Sequence, residues 1–172
     1  MAPQDHIAIR SFAAADIPQL RELHLIQANH LCLVAHDTSS ACGAQTPIAF
    51  VTASLRNQGV DRHIQLLTLG VHPSYQSKGL ARRLVRQVVT DLNPSGEEIP
   101  VHTHVCTTNT LGQNFYESLG MKLKVQDDKP VVARNVYSYL TLGRPHVQAL
   151  TNHEKGLFRS RDAYLMEGCI SA

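Results

Sequence analysis

Two short stretches of this chain hold residue types that could do chemistry together. The first is Gln76-Ser77-Lys78-Gly79-Leu80-Ala81-Arg82. Gly79 has no side chain, so the backbone there can come close to a ligand. A helix opening at this glycine begins with unpartnered N–H groups and a partial positive charge, which suits a diphosphate. Lys78, Arg82 and Arg83 add cationic charge on the same side. The second stretch is His102-Thr103-His104-Val105-Cys106, which in a strand puts two imidazoles and a thiol on one face. An imidazole titrating at about 6.5 suits a general base at neutral pH. Three such groups could also approach a metal, but the spacing lacks a convincing fourth ligand, and no metal site is expected.

A glycine before a helix is more often ordinary turn chemistry than an anion site. The surroundings reverse that reading here. Positions 80, 81, 84, 85, 88, 89 and 92 are Leu, Ala, Leu, Val, Val, Val and Leu, the spacing of one buried helical face. Arg82, Arg83, Arg86 and Gln87 lie off that face, and Arg83 and Arg86 read as solvated surface. A buried strand, Arg62–Val71, enters the loop, so the context that an anion-binding loop requires is present.

The other elements follow from pattern and punctuation. A first strand spans His6–Phe12, and a helix capped by Asp16 runs to about Gln27. Strands follow at Leu31–Ala35 and Pro47–Leu55, separated by the polar loop at 37–46. After the helix 79–92 comes a turn at Asn93–Gly96, then a strand at Ile99–Cys106. A helix from about Thr110 to Leu119 closes at Gly120, and strands at Met121–Val125 and Val131–Leu142 complete the pattern. The order implies an α+β domain over residues 1–142, with a mixed sheet of about seven strands and helices on both faces. Residues 143–172 read as a flexible polar tail or docking segment, with a possible turn of helix at Ala163–Glu167.

Bulk properties exclude several classes. With 172 residues, 43% hydrophobic and 17% charged, the chain is of ordinary globular make-up and long enough for one sizeable core. A formal charge of +2 is too small to argue for a nucleic-acid or membrane partner. Cys32, Cys42, Cys106 and Cys169 are dispersed, which suggests neither a disulfide framework nor a zinc module. Reduced thiols and the lack of an apolar signal core at the N-terminus imply a cytoplasmic, or nuclear, protein.

The order of elements over residues 6–142 resembles the GNAT superfamily of acetyl-CoA-dependent N-acetyltransferases. The likeness is sharpest in Gln65–Leu92 and His102–Leu123. The loop Gln76–Ala81 matches the pattern Gln/Arg-x-x-Gly-x-Gly/Ala. In the second block Asn109 stands at a strand end, Phe115-Tyr116 rides the next helix, and Leu119-Gly120-Met121 closes it. Within the superfamily the chain is most similar to N-terminal (Nα) acetyltransferases of the methionine-peptide type, through LTLGV, HPSY, HV followed by TTN, and NFYESLGM.

The resemblance implies acetyl-CoA as acetyl donor and a peptide or protein N-terminus as acceptor. Backbone groups around Leu69, Gly70 and Val71 would hold the pantetheine arm, as an added strand does. Gln76, Ser77, Lys78, Gly79, Leu80, Ala81 and Arg82 would cradle the pyrophosphate. Asn109 would bond the pantetheine arm, and Tyr116 would approach the sulfur. His104 stands where the subfamily has a base acting through water, and Tyr137 where a tyrosine lines the peptide groove.

Two departures stand out. Gln65 occupies the place of a base-associated tyrosine and cannot take up a proton. Only residues 27–30 separate the first helix from the strand at Leu31, where the family has a second helix and a Phe-Pro-x-x-Tyr groove wall. Alternative readings therefore remain: a lysine or small-molecule amine as acceptor, or a CoA-binding inactive subunit partnered with other N-terminal acetyltransferase subunits.

Overall fold

The computed structural model describes residues 6–11, 29–38, 47–58, 61–136 and 160–170. They form two compact units, one within Met1–Ile99 and the other within Pro100–Ile170. The helix expected over Asp16–Gln27, most of the loop at 37–46, and Tyr137 lie outside the described residues.

The first unit is an antiparallel meander of β1 (Ile7–Ser11), β2 (His30–Asp37), β3 (Pro47–Gln58) and β4 (Asp61–Val71). Leu33 lies opposite Val51, Val51 opposite Leu69, and Ala35 opposite Ala49. On this meander α1 (Leu80–Leu92) packs against β2, β3 and β4. The helix presents Leu80, Leu84, Val85, Val88 and Val89, all buried, as its apolar spacing requires. Each such side chain contributes about 1.5–3 kcal/mol by leaving water.

The C-terminal end of α1 is tied down by Asn93. Its backbone N–H donates to the carbonyls of Val89 and Thr90, and its buried Nδ2 donates to the Glu97 carbonyl at 2.7 Å. Arg62 of β4 reaches Glu97 at 2.8 Å. The exit from the helix is thereby fixed to the strand that precedes it.

In the second unit β5 (Val101–Cys106) buries Val101, Thr103 and Val105 and leaves His102 and His104 half-buried. The strand leads through Asn109 into α2 (Thr110–Glu117), which packs against it. The end of α2 is as expected: Gly120 has φ 90°, its N–H bonds the Glu117 carbonyl, and the Met121 N–H reaches the Tyr116 carbonyl. That is the left-handed closure that favours glycine.

Beyond α2 the structure departs from the expected pair of strands. Met121–Val125 divides into β6 (Lys122–Leu123) and the start of β7 (Val125–Gln126). A turn at Asp127-Asp128, with φ of 50° and 59°, returns the chain to β8 (Lys129–Pro130). Two left-handed residues in a row are what a two-residue hairpin requires. The long strand expected at Val131–Leu142 reduces to β9 (Val132–Ala133), with a turn at 134–136 and the remainder outside the described residues.

The tail reading is corrected more fundamentally. Ala163–Gly168 is a strand, β10, and neither a helical turn nor a flexible segment. It pairs antiparallel with β5 over its whole length and is flanked by β6 and β9 on its other side. Ala163 and Met166 are fully buried. A Cβ added at Gly168 would meet the Gly120 carbonyl oxygen and the Met121 Cα at 2.8 Å, so the two segments pass closer than a side chain allows.

Candidate active site

The loop that follows β4 is built by local bonds. His72 Nδ1 accepts from the Ser74 N–H at 3.3 Å, starting a short 3-10 turn at Pro73–Tyr75. Gln76 then folds back: its Nε2 donates to the Val71 carbonyl at 3.1 Å, and its N–H bonds the Pro73 carbonyl. Gln76 thus closes the loop on β4 through its backbone N–H and one of its amide hydrogens.

Ser77 has φ 60° and Gly79 has φ 75°, so the chain turns left-handed twice before the helix. Gly79 is the N-cap of α1, with no side-chain cap and no acidic residue in the first turn. The first helical bond runs from the Arg83 N–H to the Gly79 carbonyl. The N–H groups of Leu80, Ala81 and Arg82 therefore have no intrahelical acceptor, and they carry the positive end of the helix dipole. Lys78 and Arg82 supply cationic charge beside them.

Upstream of the loop, β4 carries an irregularity. Thr52 faces Thr68, but Ala53 faces Leu66, so Leu67 is an extra residue bulged out of the pairing with β3. It is 41% exposed. A bulge disrupts the ladder locally and re-aims its side chains, a feature common beside active sites. Leu69 and Val71 follow it, half-buried and paired with Val51 and Ala49. Gly70 between them makes room for a neighbour: a Cβ there would lie 2.6 Å from Phe50 Cε1. A side chain at position 70 would therefore require the half-exposed Phe50 ring to shift.

In the second unit His104 is half-buried, and loss of water around its ring lowers its pKa below the usual imidazole value. Tyr116 is shifted the other way: desolvation raises its phenol, partly offset by a hydrogen bond with Thr103. Its ring packs edge-on to Phe115, with centroids 5.1 Å apart. Asn109 caps α2, its Oδ1 accepting from the Gly112 N–H at 2.9 Å. Gln113 secures the same turn through the Cys106 and Thr107 carbonyls, both at 3.2 Å. Capping uses only the carbonyl of the Asn109 side chain, so its Nδ2 keeps its donors for a ligand amide.

Sequence reasoning missed two sets of residues. Tyr75 of the 3-10 turn and Asp37 at the end of β2 meet at 2.6 Å beside the loop. Glu167, in the segment read as tail, lies opposite His102 in the register and contacts it at 3.5 Å, while Lys124 reaches the same carboxylate oxygen at 2.9 Å. The signal for Glu167 was the short apolar run Ala163–Met166 before it, which periodicity alone assigns to neither strand nor helix. Gln65 is half-buried and donates to the Leu66 carbonyl at 3.2 Å. Arg83 and Arg86, read as surface, line a shallow groove of about 450 Å³ with Ile9, Gln87 and Thr90.

The model of the acetyltransferase (GNAT) family matches residues 5–121. Solved structures share the fold at low identity. Naa50 of Arabidopsis thaliana, crystallised with the bisubstrate analogue CoA-Ac-MVNAL, superposes with a TM-score of 0.62 at 15% identity, over 95% of this chain and 98% of that one. NAA60 of the same plant, in complex with acetyl-CoA, has a TM-score of 0.62 at 20% identity, again over 95% and 98%. An IAA acetyltransferase from Bacillus cereus has a TM-score of 0.62 at 13% identity, over 95% and 99%. Among curated proteins, none matches this sequence.

Proposed function

The chain belongs to the acetyltransferase (GNAT) family, and from that premise we propose that it transfers the acetyl group of acetyl-CoA to the α-amino group of a peptide or protein N-terminus. Acetyl transfer from acetyl-CoA is the family's chemistry; the N-terminal acceptor is our reading. The observation that carries it is His104, a half-buried imidazole kept neutral by desolvation. Such a base is weak. An α-amino group, with a reference pKa of about 8, is already about a tenth neutral at pH 7, so a weak base suffices. A lysine amine at about 10.4 leaves well under a thousandth neutral and asks for more. The methionine-first peptide in the Naa50 ligand supports the same reading.

Within this reading each residue has its own part. Bound acetyl-CoA supplies the activated thioester. In this reading the N–H groups of Leu80 and Ala81, with Lys78, hold its diphosphate, and Asn109 Nδ2 donates to the pantetheine arm. His104 accepts the proton of the attacking amine, through water. Tyr116, raised above the usual phenol value, stays protonated and offers its O–H to the departing thiolate. That thiolate, with an ordinary pKa of about 8.5, is a weaker base than a phenolate, so Tyr116 stabilises it by a hydrogen bond and keeps its own proton.

Steady-state assays with acetyl-CoA and a panel of acceptors test the reading. The panel contains methionine-first peptides, peptides with other first residues, N-terminally blocked peptides with one lysine, and small amines. The expected order puts the free N-termini first in kcat/KM. A higher kcat/KM on blocked lysine peptides or small amines overturns the N-terminal acceptor.

One observation favours a second reading. Gln65 stands on β4 where the resemblance calls for a titratable tyrosine, and its amide is bonded to the neighbouring Leu66 carbonyl. Under this reading the chain binds acetyl-CoA, turns over no acceptor in the panel, and serves as a partner of other N-terminal acetyltransferase subunits.

A further inference from the structure

Tyr75 is the last residue of the 3-10 turn, directly before Gln76. Its hydroxyl donates to Asp37 Oδ2 at 2.6 Å, joining the cofactor loop to the end of β2, 38 positions earlier in the chain. The same ring makes two more contacts. Its edge meets His72, with centroids 6.0 Å apart and planes at 70°. Its face carries Lys78 Nζ, 5.1 Å from the centroid. One aromatic side chain therefore holds the sheet by its hydroxyl, the start of the turn by its edge, and the loop's cation by its face.

The chemistry of these contacts differs in strength. An O–H donating to a carboxylate at this length is of the stronger, charge-assisted kind. The bond raises the Tyr75 phenol above its ordinary value, so the donor stays protonated throughout the working range. The contact of an ammonium with an aromatic face is weaker and fixes where the cation sits. The bonds of His72 and Gln76 fix the turn to β4, while the Asp37 bond adds a second anchor on another strand.

We propose that Asp37 and Tyr75 are positioning residues for cofactor binding: the pair holds Lys78 and the uncapped start of α1 in the arrangement that receives the diphosphate of acetyl-CoA. The inference rests on the reading of this loop as the acetyl-CoA diphosphate site. A loop with two left-handed residues that is already ordered in the free protein does not lose that freedom on binding, so affinity rises through preorganisation. Neither Asp37 nor Tyr75 touches the reacting atoms, so the effect lies in affinity for the donor and not in the chemical step.

Calorimetric titration of acetyl-CoA into the full chain tests this, together with kcat and KM for acetyl-CoA. Tyr75→Phe keeps the ring under Lys78 and removes only the hydroxyl. It is expected to weaken binding about 2- to 12-fold, the range of one hydrogen bond, and to raise KM with kcat unchanged. Asp37→Ala should match it, the double variant should be no worse than either, and Asp37→Asn, which keeps an acceptor oxygen, should recover most of the affinity. Tyr75→Ala should lose more than Tyr75→Phe, because Lys78 loses its platform as well. Wild-type affinity in both Tyr75→Phe and Asp37→Ala, losses that add in the double variant, or losses confined to kcat overturn the proposal while leaving the loop assignment standing. Absence of acetyl-CoA binding by the wild type overturns the loop assignment and this inference with it. Should Tyr75→Phe fail to fold, the contrast between Asp37→Asn and Asp37→Ala decides the matter.

Discussion

Leu165 of β10 lies directly opposite His104 of β5 in an antiparallel pair. Cross-strand partners share a face and stand about 4.5–5.5 Å apart at Cβ, so Leu165 helps to desolvate the imidazole proposed as base. A residue from the last ten of the chain thus shapes the titration of one in its middle.

The first prediction concerns pH. Desolvation lowers the His104 pKa, so the acid limb of kcat should lie below the ordinary imidazole value of about 6.5. Leu165→Gln should move that limb upward, toward the ordinary value. His104→Ala should remove the limb and lower turnover about 10²-fold or more, with acetyl-CoA affinity little changed. The same shift has a stability consequence. The folded state disfavours the charged ring, so its contribution is present above the unfolded value and is lost as pH falls through the lower folded one. Unfolding titrations across that window, with and without His104, measure it.

The second prediction concerns Gly79. Its φ of 75° lies in the left-handed region, and its backbone borders the open N–H groups of α1. Gly79→Asp adds both strain and a carboxylate where a diphosphate must sit. Calorimetry should show acetyl-CoA binding lost in a variant whose circular dichroism is that of the wild type. Undiminished affinity would remove the loop from the site.

Tyr116 carries the third. Tyr116→Phe keeps the packing on Phe115 but removes the donor offered to the thiolate. Hydrogen bonds to charged groups contribute about 1.5–3 kcal/mol, so kcat should fall about 10- to 100-fold with KM for both substrates nearly constant. An equal rise in KM with kcat intact would mean that the hydroxyl binds ground state and transition state alike.

The fourth prediction addresses β10. Met166 is fully buried and faces Thr103. Met166→Ala should destabilise the protein by about 2–5 kcal/mol, read from denaturant midpoints. A chain ending before Ser160 should lose the antiparallel partner of β5 altogether and fail to fold cooperatively. Were residues 160–172 a loose tail, both changes would be silent.

Much of the candidate site could be read in the residues because it is local. Gln76–Arg82 is one continuous loop, and its left-handed glycine, missing cap and cationic neighbours are consequences of adjacent residue types. Asn109 and Gly120 bracket α2 for the same reason. The donors of Gln76 could not be foreseen in this way. Where its amide goes depends on where the Val71 carbonyl ends up, and the structure joins the two.

The contrast between α1 and β10 shows what each level decides. The sequence by itself determined α1, because seven apolar positions repeating at the helical period can be buried together in only one way. The left-handed Gly79 at the start of that helix was legible in the same stretch. Only the tertiary structure decided that Ala163–Gly168 is a strand, that Glu167 comes to His102, and that Asp37 comes to Tyr75. A helix closes its hydrogen bonds within four residues, whereas a strand closes them on a partner that can be anywhere in the chain. Six residues with polar flanks become strand because β5, β6 and β9 are there to pair with them, and that depends on distant contacts no local pattern records.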